Sequence, residues 1–230
     1  MVNLFKKITS LLTSSHEVPG GAWIRTDMGV KIWDRKPQLG EIVTWSGAAS
    51  DSEGYATGAG ILQFMHNGQP VITYEGEMVK GRCHGKGVLR WRDGNSYEGD
   101  FMNDQPTGKG IFRWANGDYY EGDFCNGKRT GKGVFLWPNG ESYEGDFLDG
   151  IHHGKGRFKF INGCCYTGDL VGGNFHGQGV YKFVDGDVYV GKFADDEFSG
   201  YGTLYGSDAQ ILKQGQWVRD EFIGSIAELE

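Results

Sequence analysis

The sequence predicts an all-β protein built from consecutive β-hairpins, and three observations support this prediction. The chain of 230 residues contains 40 glycines but only 5 prolines, and its 14 phenylalanines, 11 tyrosines and 7 tryptophans are too many for a disordered coil. Short runs of alternating polar and apolar residues indicate β-strands. Most decisively, six tyrosines lie 23 residues apart, at Tyr74, Tyr97, Tyr120, Tyr143, Tyr166 and Tyr189. A fixed period of this length is typical of stacked repeats.

Each repeat contains two predicted strands and two glycine signals. In one unit, residues 97–101 read YEGDF and residues 108–114 read GKGIFRW. A glycine follows each tyrosine by two positions, and a Gly-x-Gly begins nine positions further on. The second strand is followed by Asx-Gly, and we predict type I′ turns there because this dipeptide accepts positive φ at both corners. The predicted turns are Asp93-Gly94, Asn116-Gly117, Asn139-Gly140, Asn162-Gly163 and Asp185-Gly186.

Alternation along these strands assigns the side chains to two faces. Tyr97, Gly99 and Phe101 share one side of their strand, whereas Glu98 and Asp100 share the other. We therefore expect an aromatic face, on which glycines let rings lie flat over the backbone, and a largely charged face.

The pattern YEGxFxxGxxxGxGxFxWxxG resembles the MORN repeat, named for membrane occupation and recognition nexus. The resemblance implies an elongated single-layer antiparallel sheet of β-hairpin repeats, the MORN solenoid. Six repeats of 23 residues span 74–212 and a degenerate repeat spans 45–73. Residues 17–44 are interpreted as a linker or an N-terminal cap, and residues 213–230 as a partial repeat and a C-terminal cap, with a short acidic helix expected in the final segment EFIGSIAELE.

Residues 1–16 are predicted to form a short amphipathic helix. Apolar residues recur at helical spacing and lysines lie opposite them. Three interpretations stay open: docking on the protein's own sheet or in a dimer, contact with a membrane surface, and disorder. The helix residues considered for docking or membrane contact are Leu4, Phe5, Lys6, Lys7, Ile8, Leu11 and Leu12.

Charge and cysteine content exclude several classes of function. Residues 45–230 carry 17 Lys and Arg against 26 Asp and Glu, so a phosphate backbone would meet net repulsion and we expect no nucleic-acid partner. The four cysteines form no Cys-x-x-Cys pair, which indicates free thiols in a reducing compartment. We find neither a signal peptide nor a long apolar span. We expect a cytoplasmic protein with the option of peripheral membrane association.

No pattern in the sequence predicts an enzyme, a cofactor or a metal site. Residues 122–128 read GDFCNGK, which matches a phosphate-binding loop up to its lysine, but Arg129 stands where Ser or Thr is required. The equivalent histidines His84, His153 and His176 are expected about 10 Å from one repeat to the next, too far apart to share zinc. A column of acidic residues is expected to pair across strands with lysines rather than to act as a catalytic pair. The column is Glu77, Asp100, Asp123, Asp146 and Asp169, and its expected partners are Lys86, Lys109, Lys132 and Lys155.

The function predicted from these features is a scaffold that binds a protein or a peptide helix along an aromatic groove with acidic edges. The predicted groove residues are Trp91, Trp114, Trp137, Phe112, Phe135, Phe158, Tyr97, Tyr120 and Tyr143. The alternative is a peripheral membrane or anionic-phospholipid-binding and tethering module that acts through residues 1–16 and basic residues such as Lys128 and Arg129. A homo-oligomer is a further option, because the end of such an array is an open sheet edge.

Overall fold

A computed structural model describes residues 21–34, 41–47 and 49–225. All regular elements within these residues are β-strands, which confirms the predicted all-β fold of consecutive hairpins. The helix predicted over residues 1–16 lies outside the described residues. Within them, no helix is long and apolar enough to cross a membrane.

The chain divides into two compact units, of which unit 1 is Met1–Arg129. In unit 1, β1 and β2 pair with each other, β3 and β4 pair with β5, and each strand from β5 to β10 pairs antiparallel with the next. The strands are β1 (Ala22–Arg25), β2 (Lys31–Asp34), β3 (Ile42–Trp45), β4 (Ala49–Ser50), β5 (Ala56–His66), β6 (Gln69–Val79), β7 (Arg82–Trp91), β8 (Ser96–Met102), β9 (Gln105–Arg113) and β10 (Tyr119–Cys125).

Unit 2 is Thr130–Glu230, and β11 (Lys128–Leu136) begins two residues before it. Each strand from β11 to β19 pairs antiparallel with the next. The remaining strands are β12 (Ser142–Leu148), β13 (Ile151–Lys159), β14 (Cys165–Val171), β15 (Asn174–Lys182), β16 (Val188–Ala194), β17 (Glu197–Tyr205), β18 (Ile211–Val218) and β19 (Glu221–Gly224).

The type I′ turns were predicted in the wrong link. After the second strand of a repeat, the glycine alone has positive φ, as at Gly94 with φ 96°, and its N–H donates to the Trp91 carbonyl at 3.0 Å. This is a three-residue loop in which a type I turn is followed by a left-handed glycine. Both corners have positive φ in the other link, inside each repeat, as at Asn126 (50°) and Gly127 (76°). Asx-Gly fits both turn types, so the dipeptide alone did not decide between them.

The first glycine of each Gly-x-Gly has a structural role different from that of the second. Gly108 has φ 58° and lies where the pairing of β8 with β9 shifts its register, between Gly99 and Asp100. A left-handed residue at a bulge is most easily glycine. The second glycine, Gly110, faces the ring of Tyr97, and a Cβ added there would lie 2.4 Å from the tyrosine hydroxyl oxygen.

The tyrosine column forms the core of both units. All six tyrosines are at most 1% exposed. The rings lie over glycines of their own hairpins, as Tyr97 lies over Gly99 and Gly110. Each hydroxyl group donates to a backbone carbonyl, as from Tyr97 to Asp100 at 3.0 Å. Burial raises the pKa of these tyrosines above its ordinary value, to about 12 for Tyr189. The glycines leave the space in which the sheet buries these large rings against its own backbone.

The two ends of the array depart from the repeat pattern. In unit 1, Trp45 lies over Gly47 and Gly60 as the tyrosines lie over their glycines, and it is 5% exposed. Hairpin β1–β2 attaches beside it through the Trp33 N–H, which donates to the Gly81 carbonyl at 2.9 Å. In unit 2, the expected terminal helix is wrong for Glu221–Gly224, which form β19; residues 226–230 lie outside the described residues.

Candidate interaction surface

Most of the predicted groove residues are core residues. Trp91 and Trp137 are half-buried, whereas Trp114 is 8% exposed. The other six, Phe112, Phe135, Phe158, Tyr97, Tyr120 and Tyr143, are at most 4% exposed. The physical reason is that the described strands place no second layer over this face, so the innermost rings must cover the backbone of the sheet. That a partner binds this face stays a prediction.

A second column, which the sequence did not reveal, contacts the tyrosines of the later repeats. We call it the stacking column; its members lie 23 residues apart near the start of each second strand, and they are Cys83, Pro106, Arg129, His152, Phe175 and Phe198. Phe175 stacks on Tyr166 with ring centroids 3.7 Å apart, and Phe198 stacks on Tyr189 at 3.8 Å. These residues do not share a side-chain type, so they left no repeat signal, although their fixed spacing was readable in the sequence.

In unit 2 the stacking column meets a second series of partly exposed rings. These rings end the second strand of the preceding repeat; we call them the rim rings, and they are Trp137, Phe160 and Phe183. The centroid distances are 5.8 Å from Trp137 to His152, 6.1 Å from Phe160 to Phe175, and 6.1 Å from Phe183 to Phe198. All six residues are half-buried. Three successive ring pairs therefore form the aromatic surface of unit 2.

The matching positions in unit 1 hold different chemistry. The Arg129 guanidinium carbon lies 5.5 Å from the ring centroid of Trp114 and 5.6 Å from that of Tyr120. Arg129 is 8% exposed, and burial lowers its pKa to about 10, although the nearby Tyr120 and Asp118 act in the opposite direction. A side chain held in this way is not a surface contact for a lipid headgroup. The membrane hypothesis is left with residues 1–16, outside the described residues, and with Lys128.

The opposite face carries the predicted lysine–aspartate column. Each lysine lies directly across from the aspartate of the next repeat. Nζ-to-oxygen distances are 2.5 Å for Lys86–Asp100, 2.7 Å for Lys109–Asp123 and 2.6 Å for Lys132–Asp146, and Lys155 contacts Asp169 in the same way. The predicted pairing is therefore confirmed for these four pairs.

These aspartates have a structural role in the sheet. The second carboxylate oxygen of Asp146 accepts the Lys155 N–H at 2.9 Å, beside the bulge at Gly154. The hydrogen bond from Lys132 lowers the pKa of Asp146 below its ordinary value. A carboxylate that is ionised and already bonded twice is poorly suited to act as a general acid.

The other chemical candidates are also part of the sheet. His153 lies across from Asp146 and His176 across from Asp169. Among the described residues, no group of three or more His, Cys, Asp and Glu is placed to hold a metal ion. The segment that resembles a phosphate-binding loop comprises the end of β10, the Asn126-Gly127 turn and the start of β11. It has strand geometry where a phosphate-binding loop needs the start of a helix.

The repeated hairpin, the tyrosine that lies over glycines and the ring-covered face define a β-hairpin repeat protein. The family model for the MORN repeat matches six consecutive segments, 74–96, 97–119, 120–142, 143–165, 166–188 and 189–209. These segments cover more than half of the 230 residues. The chain belongs to the MORN-repeat family.

Comparison with known structures finds distant similarity. The SAS-4 (dCPAP) TCP domain of Drosophila melanogaster, solved in complex with a proline-rich motif of Ana2 (dSTIL), is 14% identical with a TM-score of 0.42, over 79% of this chain and 98% of that one. The G-box domain of the microcephaly protein CPAP is 11% identical with a TM-score of 0.42, over 86% of this chain and 100% of that one. No curated protein matches the sequence. The family assignment rests on the repeat match.

Proposed function

We propose that this protein is a non-enzymatic scaffold in which the aromatic surface of unit 2 binds a protein or peptide segment. The observation that carries the proposal is the row of three half-buried ring pairs, Trp137–His152, Phe160–Phe175 and Phe183–Phe198. The tyrosines beneath them are already buried, so among the described residues the row is the outermost layer of this face.

The arrangement of the rings favours binding. Each ring is held between neighbours in its own repeat and the next, as Phe160 is by Phe158 at 4.6 Å and Tyr181 at 6.0 Å. A side chain already fixed by packing loses little further freedom when a partner covers it. Large aromatic residues in such positions supply much of the energy at protein interfaces.

The chemistry of the surface selects the type of partner. The rings offer apolar contact area to leucine, methionine or aromatic side chains of a partner. Exposed carboxylates lie in the adjoining turns, at Asp185 and Asp208. A segment with an apolar stripe flanked by basic residues, such as an amphipathic helix, is complementary to both features.

The test is capture of partners by the tagged full-length protein from cells that express it, compared with Phe160→Ser/Phe183→Ser. This pair removes two rim rings and leaves the buried Trp114 in place. The control is Leu148→Ser/Val171→Ser, which removes apolar side chains that are 51% and 52% exposed near the turns of the same unit. Thermal unfolding of each variant shows whether the fold is retained.

We expect the control to capture the same protein as the natural sequence and the rim-ring variant to lose it. Retention by a folded rim-ring variant would contradict the proposal. Loss by both folded variants would also contradict it, because the binding surface would then not be the aromatic face. If the rim-ring variant unfolds, Phe183→Leu, which keeps apolar volume but removes the ring, replaces it in the same comparison.

A further inference from the structure

The opposite face of unit 2 exposes an apolar row flanked by cations. Val180 lies across from Thr167 on one side and from Val190 on the other, and Val190 lies across from Thr203. Val180 is 39% exposed and Val190 is 42% exposed. β-branched residues pack well against one another on a pleated sheet, so this row presents a flat apolar strip.

Lys182, beside this strip, has lost the acidic neighbour that earlier repeats provide, whereas Lys159 keeps Glu144 at the equivalent position but forms no ion pair with it. In unit 1, Arg90 pairs with Glu75 at 3.6 Å and Arg113 pairs with Glu98 at 3.8 Å. The equivalents of Arg113 and Glu98 three repeats later are Lys182 and Thr167. Among the ion pairs of the described residues, neither Lys159 nor Lys182 has a carboxylate partner.

The opposite face of unit 1 has the complementary pattern. Glu75, Val88, Glu98, Ile111 and Glu121 follow one another across adjacent strands, each directly opposite the next. Glu75 and Glu98 have side chains that are 61% and 59% exposed, and their arginine contacts are long. Exposed ion pairs of this kind contribute little to stability, so the glutamates can exchange partners at low cost.

We propose that the opposite face of unit 2 binds the opposite face of unit 1 of a second copy of this chain. The glutamates recur every second strand, at intervals of about 10 Å, and Lys159 and Lys182 recur at the same interval because both sets follow the repeat. The aliphatic residues between the glutamates meet the row of Val180 and Val190. Because the glutamates and the lysines carry opposite charges at the same spacing, their pairing determines the orientation and the register of the two copies.

The contact joins unlike surfaces. Repeated contacts between unlike surfaces either close into an assembly with a fixed number of copies or continue into an open chain. The aromatic surface lies on the other side of the sheet and does not take part, so self-association and binding of the partner proposed above are independent. Failure of one leaves the other standing.

The experiment is sedimentation velocity of the full chain over a concentration series, with paired charge reversals. The first variant is Lys159→Glu/Lys182→Glu, and the second is Glu75→Lys/Glu98→Lys; all four residues are exposed. The control is Lys80→Glu/Arg92→Glu, which makes the same charge change as the first variant at two exposed turn residues. Circular dichroism confirms that each variant folds.

We expect each reversal alone to weaken self-association by about tenfold or more, since like charges then face each other. An equal mixture of the two variants restores association, because the acidic face of one variant meets the basic face of the other. The control leaves association unchanged. Added salt weakens association of the natural sequence.

The proposal is overturned if the natural sequence stays monomeric at all concentrations, or if the mixture of variants does not recover association. It is also overturned if a monomeric natural protein pellets with phosphatidylserine–phosphatidylcholine vesicles and the Lys159→Glu/Lys182→Glu variant does not. The basic face of unit 2 would then bind an anionic lipid surface rather than another copy.

Discussion

Unit 1 and unit 2 are built on the same core and differ in the residues around it. Both bury three tyrosines of the column over paired glycines. The stacking column, however, holds Cys83, Pro106 and Arg129 in unit 1, and His152, Phe175 and Phe198 in unit 2. On the opposite face, the row of glutamates in unit 1 continues as Glu144 in unit 2 and is then replaced by Thr167 and Val190. The contrast teaches that the repeat constrains the tyrosine and glycine columns of the core, whereas the columns around the core vary between the two units.

The largest expected effect is the unfolding of both units at high pH. Burial raises the pKa of the column tyrosines, so the folded state favours the neutral phenol. Their stabilising contribution is complete below the unfolded pKa of about 10 and is lost as pH rises through the folded pKa. We expect the column tyrosines to ionise cooperatively with unfolding, which ultraviolet absorbance and circular dichroism followed together would show. Gradual ionisation of all 11 tyrosines without unfolding would contradict the shared core.

A methyl group at the glycine beneath a tyrosine should destabilise both units strongly. The added Cβ of Gly110→Ala would lie 2.4 Å from the Tyr97 hydroxyl oxygen, and that of Gly156→Ala would lie 2.4 Å from the Tyr143 hydroxyl oxygen. We expect each change to lower the free energy of unfolding by about 3 kcal/mol. Urea unfolding measures this loss. Gly206→Ala is the control, because the Cβ there would meet movable side-chain atoms at 3.0 Å or more. If only one of Gly110→Ala and Gly156→Ala lowered the free energy of unfolding, the two units would not share the same core.

Removal of one lysine–aspartate pair should have a smaller effect. Asp146→Asn removes the contact with Lys132 and weakens the bond to the Lys155 N–H, and we expect a loss of about 1 kcal/mol. Because the folded pKa of Asp146 is lowered, its contribution is present above the unfolded pKa of about 4 and is lost as pH falls through the folded value. The melting temperature of the natural protein should therefore exceed that of the variant at neutral pH, and the two should become equal at acidic pH. A difference that persists in acid would contradict this assignment.

The smallest predicted effect is a gain in stability at the last repeat turn. Ala209 has φ 64°, where the earlier repeats place glycine. The left-handed conformation costs a residue with a Cβ about 1 kcal/mol, so Ala209→Gly should raise the free energy of unfolding of unit 2 by roughly 0.5–1 kcal/mol. Urea unfolding is again the measurement, and an unchanged or lowered stability would show that Ala209 is accommodated without strain.

The sequence predicted the features that recur and missed those that vary. The recurring tyrosines and glycines and the alternation of polar and apolar residues correctly predicted the strands, the two faces and the lysine–aspartate pairs. Each of these features recurs at a constant position in the repeat. The turn types were assigned to the wrong links, because Asn126-Gly127 and Asn116-Gly117 look alike until the register of the strands is known. The stacking column was missed for the opposite reason, since Pro106, Arg129 and Phe175 share a position and no chemistry. The exposure of the remaining rings depends on the stacking column, so it could not be predicted before that column was known.

Hydroxyl-radical footprinting of the protein with and without its captured partner tests the central claim most directly. The claim is that the column tyrosines are core and that the half-buried rings of unit 2 are the binding surface. It predicts that Trp137, Phe160 and Phe183 become protected in the complex, while Val180 and Val190 on the opposite face keep their reactivity at a fixed protein concentration. Protection of the valines without protection of the three rings would contradict the account.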